Sequence, residues 1–262
     1  GELAERKIRE AIADGNPKEK VAGYTFGAAS PHDTPFPPFY GIPSGSGTGT
    51  PISFDPERAA TLLQNLGYAR ASTTGILEKT EKKQEGKKTV EKKSTLSFTL
   101  TTSDWPDLQR AAEVIQQGLN AVGIDITISA MPLSELDASA IRPRNFELLL
   151  FGHAYGYEPD PFIFWHSSQT KDPGLNIVRY SDKASDKLLE EVRTITDRGE
   201  RARRLAELEG RLQSELLMVP LFAEHYLYIL PSDIRGVNLV VISVPSDRFN
   251  TIDQWYIYTK RI

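Results

Sequence analysis

The chain reads as an α/β lobe with a central, largely parallel sheet flanked by helices. Three observations predict this. Leu96, Phe98 and Leu100 alternate with polar residues, as do Ile124, Ile126 and Ile128, and a two-residue period is that of a strand. Between them Trp105-Pro106 opens a stripe of 3.6-residue period, Leu108, Ala112, Ile115, Leu119 and Val122, and Gly123 closes it. Phe146 to Phe151 is a short apolar run with one Glu, the pattern of a strand buried on both faces of a parallel sheet. Strands separated by helices of this length predict a βαβαβ block with right-handed crossovers, its last crossover a short helix over Leu133 to Ile141.

The remaining elements follow in chain order. Residues 1 to 20 predict a short charged helix with Ile8, Ala11 and Ile12 as its apolar contacts. Tyr24 to Pro51 is rich in Gly, Pro, Ser and Thr, and Pro35, Pro37 and Pro38 forbid regular helix there. Asp55-Pro56 supplies an N-cap and a first-turn proline for a helix that buries Ala59, Leu62, Leu63 and Leu66 and stops at Gly67. Gly75 to Thr95 is lysine-rich, alternates weakly and lacks aromatics, which predicts an exposed hairpin rather than a nucleic-acid surface. Two helices follow the aromatic segment after Asp160, one using Leu188, Leu189, Val192 and Ile195, the other Leu205, Leu208, Leu212 and Leu216. Val219 to Leu230 and Val237 to Tyr258 predict short strands.

Composition narrows the function. At 39% hydrophobic and 25% charged residues, a chain of 262 residues has the material for a real core, in one large or two small domains. The net charge of −4 argues against a nucleic-acid binder, which needs a basic face. With no cysteine, disulfides and thiolate zinc sites are excluded. No apolar run approaches the roughly 18 residues that span a bilayer. The amino-terminal residues carry no signal-peptide apolar segment and begin in what reads as a helix, so the chain is expected to be part of a longer protein.

Hydrolytic and metal motifs do not assemble. Gly45 to Gly49 lacks the lysine of a phosphate loop, no serine sits in a GxSxG elbow, and no HExxH occurs among the histidines His32, His153, His166 and His225. His153 and His166 flank one aromatic loop and would have to converge to hold a metal; local hydrogen bonding is the simpler expectation. No cofactor, no metal and no catalytic residue is predicted, and an enzyme is the least favoured class.

What does stand out is the loop after the Phe146 strand. It carries His153, Tyr155, Tyr157, Glu158 and Asp160 just past the carboxyl end of a buried parallel strand, where open α/β sheets bind ligands. These five residues, with Trp165 behind them, are the candidate ligand-binding set; the competing reading is a surface loop whose tyrosines cap the core. Asn176 is read as a turn-setting residue.

Several segments, taken together, resemble one family. Asp55 to Tyr68, Leu96 to Thr101, Ala111 to Gln116, Val122-Gly123-Ile124, Phe146 to Gly152, Asp160-Pro161, Asn176 to Ser181, Asp186 to Glu191 and Val219 to Phe222 are similar, in order, to segments of the extracellular solute-binding proteins of ABC importers, in the peptide, dipeptide and nickel branch. The resemblance implies a periplasmic-binding-protein-like fold in which two lobes close on a solute. It implies that residues 1–230 form the second, C-terminal lobe, that residues 231–262 return towards a first lobe preceding Gly1, and that an importer permease is the partner. It further implies an extracytoplasmic place, in the periplasm or at the cell surface, with a lipid anchor through a missing amino terminus, and no nucleic-acid partner. The departure is at His153, which stands where the peptide binders carry tryptophan, and the carboxylate they place shortly after it falls near Tyr155 or Gly156. Glu158 or Asp160 is then the candidate to meet a peptide ammonium. A sugar-like or uncharged ligand on Tyr155, Tyr157 and Trp165, a metal or haem carrier using His153 and His166, and a sensor or interaction module are the alternatives.

Overall fold

Pro17 breaks the amino-terminal helix in two. In the computed structural model, which describes residues 1–23, 29–36, 42, 52–85, 88–153, 155, 160–238, 242 and 244–257, α1 runs Arg6–Asp14 and α2 Lys18–Gly23. Ile8, Ala11 and Ile12 are buried as expected, but the single helix over residues 1 to 20 is corrected to two, because proline cannot continue the hydrogen-bond ladder. A short strand, β1 (Ala29–Pro31), follows; most of the Tyr24 to Pro51 stretch, including Gly45 to Gly49, lies outside the described residues.

Helix α3 (Pro56–Asn65) starts as its sequence directs, with the Asp55 carboxylate accepting from the Arg58 amide at 2.8 Å. Ala59 and Leu63 are fully buried on its inner face. Strands β2 (Ala69–Arg70), β3 (Leu77–Glu85) and β4 (Lys88–Thr95) form an antiparallel sheet in the order β2-β3-β4. The lysine-rich hairpin is therefore present, its register placing Glu81 opposite Lys92 and Lys82 opposite Glu91.

The βαβαβ block is built from β5 (Ser97–Ser103), α4 (Pro106–Val122), β6 (Asp125–Met131), α5 (Leu133–Leu136, extended by a π turn over Asp137–Ile141) and β7 (Leu148–Leu150). All pairs are parallel and the order is β6-β5-β7, so β5 is central. Gly123 ends α4 at φ 94°, and a Cβ there would come within 2.8 Å of Leu77, so the turn from helix to strand admits only glycine. The apolar stripe of α4 packs with α1, α3 and the inner face of β5 and β6 into one core. The expectation for Phe146 to Phe151 is corrected in two respects: the strand is only Leu148–Leu150, and of these Leu150 alone is fully buried while Leu148 and Leu149 are half-buried; among the described residues β5 is its one strand neighbour. Glu147 leaves the ladder to accept the Thr99 amide at 2.7 Å, and Phe151 is 39% exposed.

Beyond the sheet, α6 (Phe162–Trp165), α7 (Lys183–Val192) and α8 (Arg198–Glu215) enclose a second core of Phe36, Phe164, Trp165, Tyr180 and the inner leucines of α7 and α8. Ile195 falls after α7 rather than within it. Of the strands expected over Val219 to Leu230, only β8 (Phe222–Glu224) forms, antiparallel to β1; residues 225–231 form neither helix nor strand. The tail contributes β9 (Ile234–Arg235) and β10 (Tyr256–Ile257), paired with each other, beside a ring cluster of Tyr228, Phe249 and Trp255.

Candidate ligand-binding edge

The three parallel strands end level with one another. Ser103 pairs with Met131 and Thr102 with Leu150, and the Asp104 amide donates to the Met131 carbonyl at 2.9 Å. Each strand is followed within two residues by a large apolar side chain that the fold leaves open to solvent: Trp105 after β5, Leu133 after β6 and Phe151 after β7. Trp105 is 56% exposed. An exposed indole just before the first turn of α4 makes no packing contribution of its own size, and three such side chains along one sheet edge form an apolar rim suited to a ligand. Leu133 was not singled out by its sequence; the signal available was an apolar residue directly after a strand's last position, which periodicity assigns to the following helix.

The loop after β7 adds aromatic and polar groups. His153 stacks on Phe164 with ring centroids 4.7 Å apart and planes at 20°, and Tyr155 meets the same Phe164 edge-on at 5.0 Å. The Tyr155 hydroxyl donates to the Pro35 carbonyl at 2.9 Å, tying the loop to the segment that follows β1. Burial holds the His153 imidazole below its ordinary pKa. Burial likewise pushes the Tyr155 phenol well above its usual range, with a bond to Trp165 opposing. Both side chains are half-buried, and Tyr155 packs against the second core, so this part of the loop caps that core as well as edging the sheet. Tyr157 and Glu158 lie outside the described residues.

Asp160 and Trp165 are occupied within the protein. One Asp160 oxygen accepts the Phe162 amide at 3.1 Å and the other faces Arg193 Nε at 3.2 Å, whose guanidinium covers the Phe162 ring at 4.5 Å. Trp165 is 2% exposed and packs edge-on to Tyr180 in the second core. His166 stacks on Phe162, not on Phe164, so the two histidines are held by different rings. The Ser168 amide donates to His166 Nδ1 at 3.1 Å; that nitrogen is an acceptor, and in the neutral ring the proton is on Nε2, towards Asp186 and Glu190 at 3.8 and 3.5 Å. Among the described residues, no three His, Asp or Glu side chains are grouped to hold a metal ion.

With this geometry in view, the relation to known proteins is direct. The model of the bacterial extracellular solute-binding proteins, family 5 (Middle), matches residues 2–174. The chain belongs to that family. This family 5 chain is 22% identical over 264 residues to the oligopeptide-binding protein AppA of Bacillus subtilis, covering 97% of itself and 44% of AppA. It is 26% identical over 212 residues to the di/tripeptide-binding protein 4 of Pseudomonas aeruginosa, covering 80% of itself and 36% of that protein. Its fold matches the solved structure of B. subtilis AppA in complex with a nonapeptide at a TM-score of 0.74, with 21% identity and coverage of 99% of this chain and 49% of the other. It also matches NikZ of Campylobacter jejuni in complex with Ni(L-His) at a TM-score of 0.67, with 20% identity and coverage of 96% and 48%. The family 5 chain thus spans less than half the length of these relatives, and the periplasmic-binding-protein architecture expected from its sequence is the one observed.

Proposed function

We propose that the chain is the second lobe, residues 1–230, of the solute-binding component of an ABC importer, with residues 231–262 returning towards a first lobe. In this reading the open edge of the β6-β5-β7 sheet is one jaw of a clamp. A ligand of oligopeptide type is captured there, lobe closure buries it, and the loaded protein delivers it to the importer permease outside the cytoplasmic membrane. Its work is binding, with no chemical step. The observation that carries the reading is the row of exposed apolar side chains, Trp105, Leu133 and Phe151, at the carboxyl edge of a parallel sheet in a family 5 chain. Their common place at the ends of adjacent strands is what a bound ligand and a closing lobe would cover. AppA and the Pseudomonas relative, named for oligopeptides and for di- and tripeptides, support the ligand class.

His153, Tyr155 and Tyr157 supply stacking surface in this reading, Glu158 is the carboxylate for a peptide ammonium, and Asp160 and Trp165 hold the loop from behind. The exposed Tyr256 and Ile257 support a tail that packs on a further lobe, and the exposed Leu227 and Ile229 lie just before it. A lipid-anchored, extracytoplasmic location belongs to the same proposal. The aromatic grouping of His153 and Tyr155 around Phe164 favours one second reading, an uncharged, sugar-like ligand stacked on the rings of this loop.

A thermal-shift screen of the full-length protein against short peptides, sugars, amino acids and divalent metals separates these readings, because a ligand of the native state raises the midpoint by mass action. A shift with peptides is expected. Replacing both Tyr155 and Tyr157 by Ala, and separately Trp105 by Ala, is expected to weaken binding about tenfold or more, roughly 1.4 kcal/mol. Unchanged affinity in both variants removes this edge from the site, and a shift with sugars alone selects the second reading.

A further inference from the structure

Before the amino end of β7, at the opposite end of that strand from the candidate ligand edge, the surface holds a concavity of about 520 Å³ whose wall is cationic. Arg142, Arg144, Lys171 and Arg179 line it, and Asp172 is the one carboxylate among its lining residues. Arg142 Nε is paired with Asp137 at 2.7 Å. With both carboxylates counted, the concavity keeps an excess of two positive charges in a chain whose net charge is −4.

Arg144 and Arg179 are fixed by carbonyl groups, which orient them without cancelling their charge. Arg144 Nη1 donates to the Ile141 carbonyl at 2.6 Å and Nη2 donates to the Gly174 carbonyl, joining the turn before β7 to the loop before Asn176. Arg179 Nη2 donates to the Pro143 carbonyl at 3.3 Å. Both residues hold left-handed backbone, φ 59° at Arg144 and 56° at Arg179, where glycine would be relaxed. Two of the three non-glycine residues with this backbone among those described therefore face one concavity. Donors remain there: Arg144 Nε is buried with no acceptor, and the Lys171 ammonium has neither an ion pair nor a side-chain hydrogen bond among the described residues. The Ser181 side chain lines the same wall.

We infer that this concavity binds a phosphate monoester group, carried by a small soluble metabolite or by a lipid headgroup. A phosphate monoester has close to two negative charges near pH 7 and three strong acceptor oxygens, which matches the excess charge. Its tetrahedral oxygens accept from several donors at once, which suits a wall that offers the Lys171 ammonium and the Arg179 guanidinium beside Arg142 and Arg144, whereas a planar carboxylate satisfies one fork. The volume exceeds that of the phosphoryl group and leaves room for a short organic portion.

The test titrates glycerol phosphate into the full chain at low ionic strength by calorimetry, with sodium chloride of equal ionic strength as the control. A parallel sedimentation uses phosphatidylcholine vesicles with and without phosphatidic acid. Saturable binding of glycerol phosphate, weakened about tenfold or more by Lys171→Glu and retained by Lys171→Arg, supports a soluble ligand. Sedimentation with phosphatidic acid vesicles alone, lost in Lys171→Glu, supports the headgroup. The inference is overturned if neither probe binds, if chloride competes as well as the phosphate, or if Lys171→Glu binds like the parent. Trp105→Ala is expected to leave these responses unchanged, so failure here and failure of the ligand edge are read separately.

Discussion

One side chain holds both backbone ends of Tyr180: the Asn176 amide oxygen accepts the Tyr180 N–H at 3.0 Å, and its nitrogen donates to the Tyr180 carbonyl at 2.8 Å. The same nitrogen reaches the carbonyls of Trp165 and His166 at 3.2 and 3.1 Å, and Asn176 has no exposed surface. The turn read from its sequence is thus a buried polar pin between α6 and the loop before α7. Asn176→Ala is expected to leave several buried backbone groups unpaired and to lower stability by about 3 kcal/mol or more. Asn176→Asp, which sets an acceptor against three carbonyls, is expected to be worse still. Urea denaturation of the two variants checks the order; Asp at or above Ala in stability contradicts it.

Asp14 makes stability depend on pH in the direction opposite to most carboxylates. It is 2% exposed, and burial raises its carboxyl pKa to about 6 against an ordinary 3.8, with Arg58 opposing and Glu10 and Asp55 adding to the rise. The folded chain therefore holds this proton more tightly than the unfolded chain. Its contribution to stability is complete below about pH 4 and is lost as pH rises through about 6, an effect on the order of 3 kcal/mol. Asp14→Asn removes the titration. The parent is expected to lose stability relative to that variant between about pH 4 and 7, with no further change above. Parallel pH profiles for the two proteins would count against the buried carboxyl.

His153 titrates with the reverse sign. Burial against Phe164 lowers its pKa, so the unfolded chain takes up this proton first as the solution is acidified. Stability from this group is full above about pH 6.5 and falls as pH drops from there through the lowered folded value. A proton NMR titration of the imidazole is expected to give a midpoint below that of a free histidine. Phe164→Ala, which opens one side of the ring to water, is expected to move the midpoint back up.

Gly118 tests packing against helix propensity. It lies mid-helix in α4, where alanine is favoured over glycine by about 1 kcal/mol. Yet a Cβ at this position would stand 2.5 Å from Pro17 Cδ and 2.6 Å from the Gly15 carbonyl oxygen. The turn between α1 and α2 rests directly on the helix backbone. Gly118→Ala is therefore expected to destabilise by roughly 1–3 kcal/mol, the overpacking cost outweighing the propensity gain. A midpoint equal to or above the parent's in thermal denaturation shows that the turn yields.

Much of this architecture is legible in the sequence because it is written in local spacing. The Asp55-Pro56 start, the α4 stripe and the alternation in β5 and β6 each depend on residues a few positions apart. What is not legible depends on what else arrives in space. Phe146 to Phe151 reads as buried on both faces because its composition is apolar, but local spacing does not say that Leu148 and Leu149 stay half-buried or that, among the described residues, β5 is the one strand beside β7. Trp105 and Trp165 are equally ambiguous as letters, and only the packed α6, α7 and α8 helices decide that the second is core and the first is not. The candidate loop was visible as a position, past the end of a parallel strand; that Asp160 is spoken for by Arg193 was not, since the partner lies 33 residues away.

The register of β3 and β4 has a consequence for how copies of the chain meet. Opposite charges face each other across the strands at Glu81 and Lys92 and at Lys82 and Glu91, and Lys93 reaches Glu78, so each of these three carboxylates has a lysine across the ladder. Among the described residues strand β4 nevertheless forms the outer margin of its sheet, and it carries Lys92 and Lys93. Two molecules approaching margin to margin would have to bring ammonium groups together before any backbone pairing formed, so a long ribbon that is otherwise an open template for fibre growth is kept solitary by its own side chains.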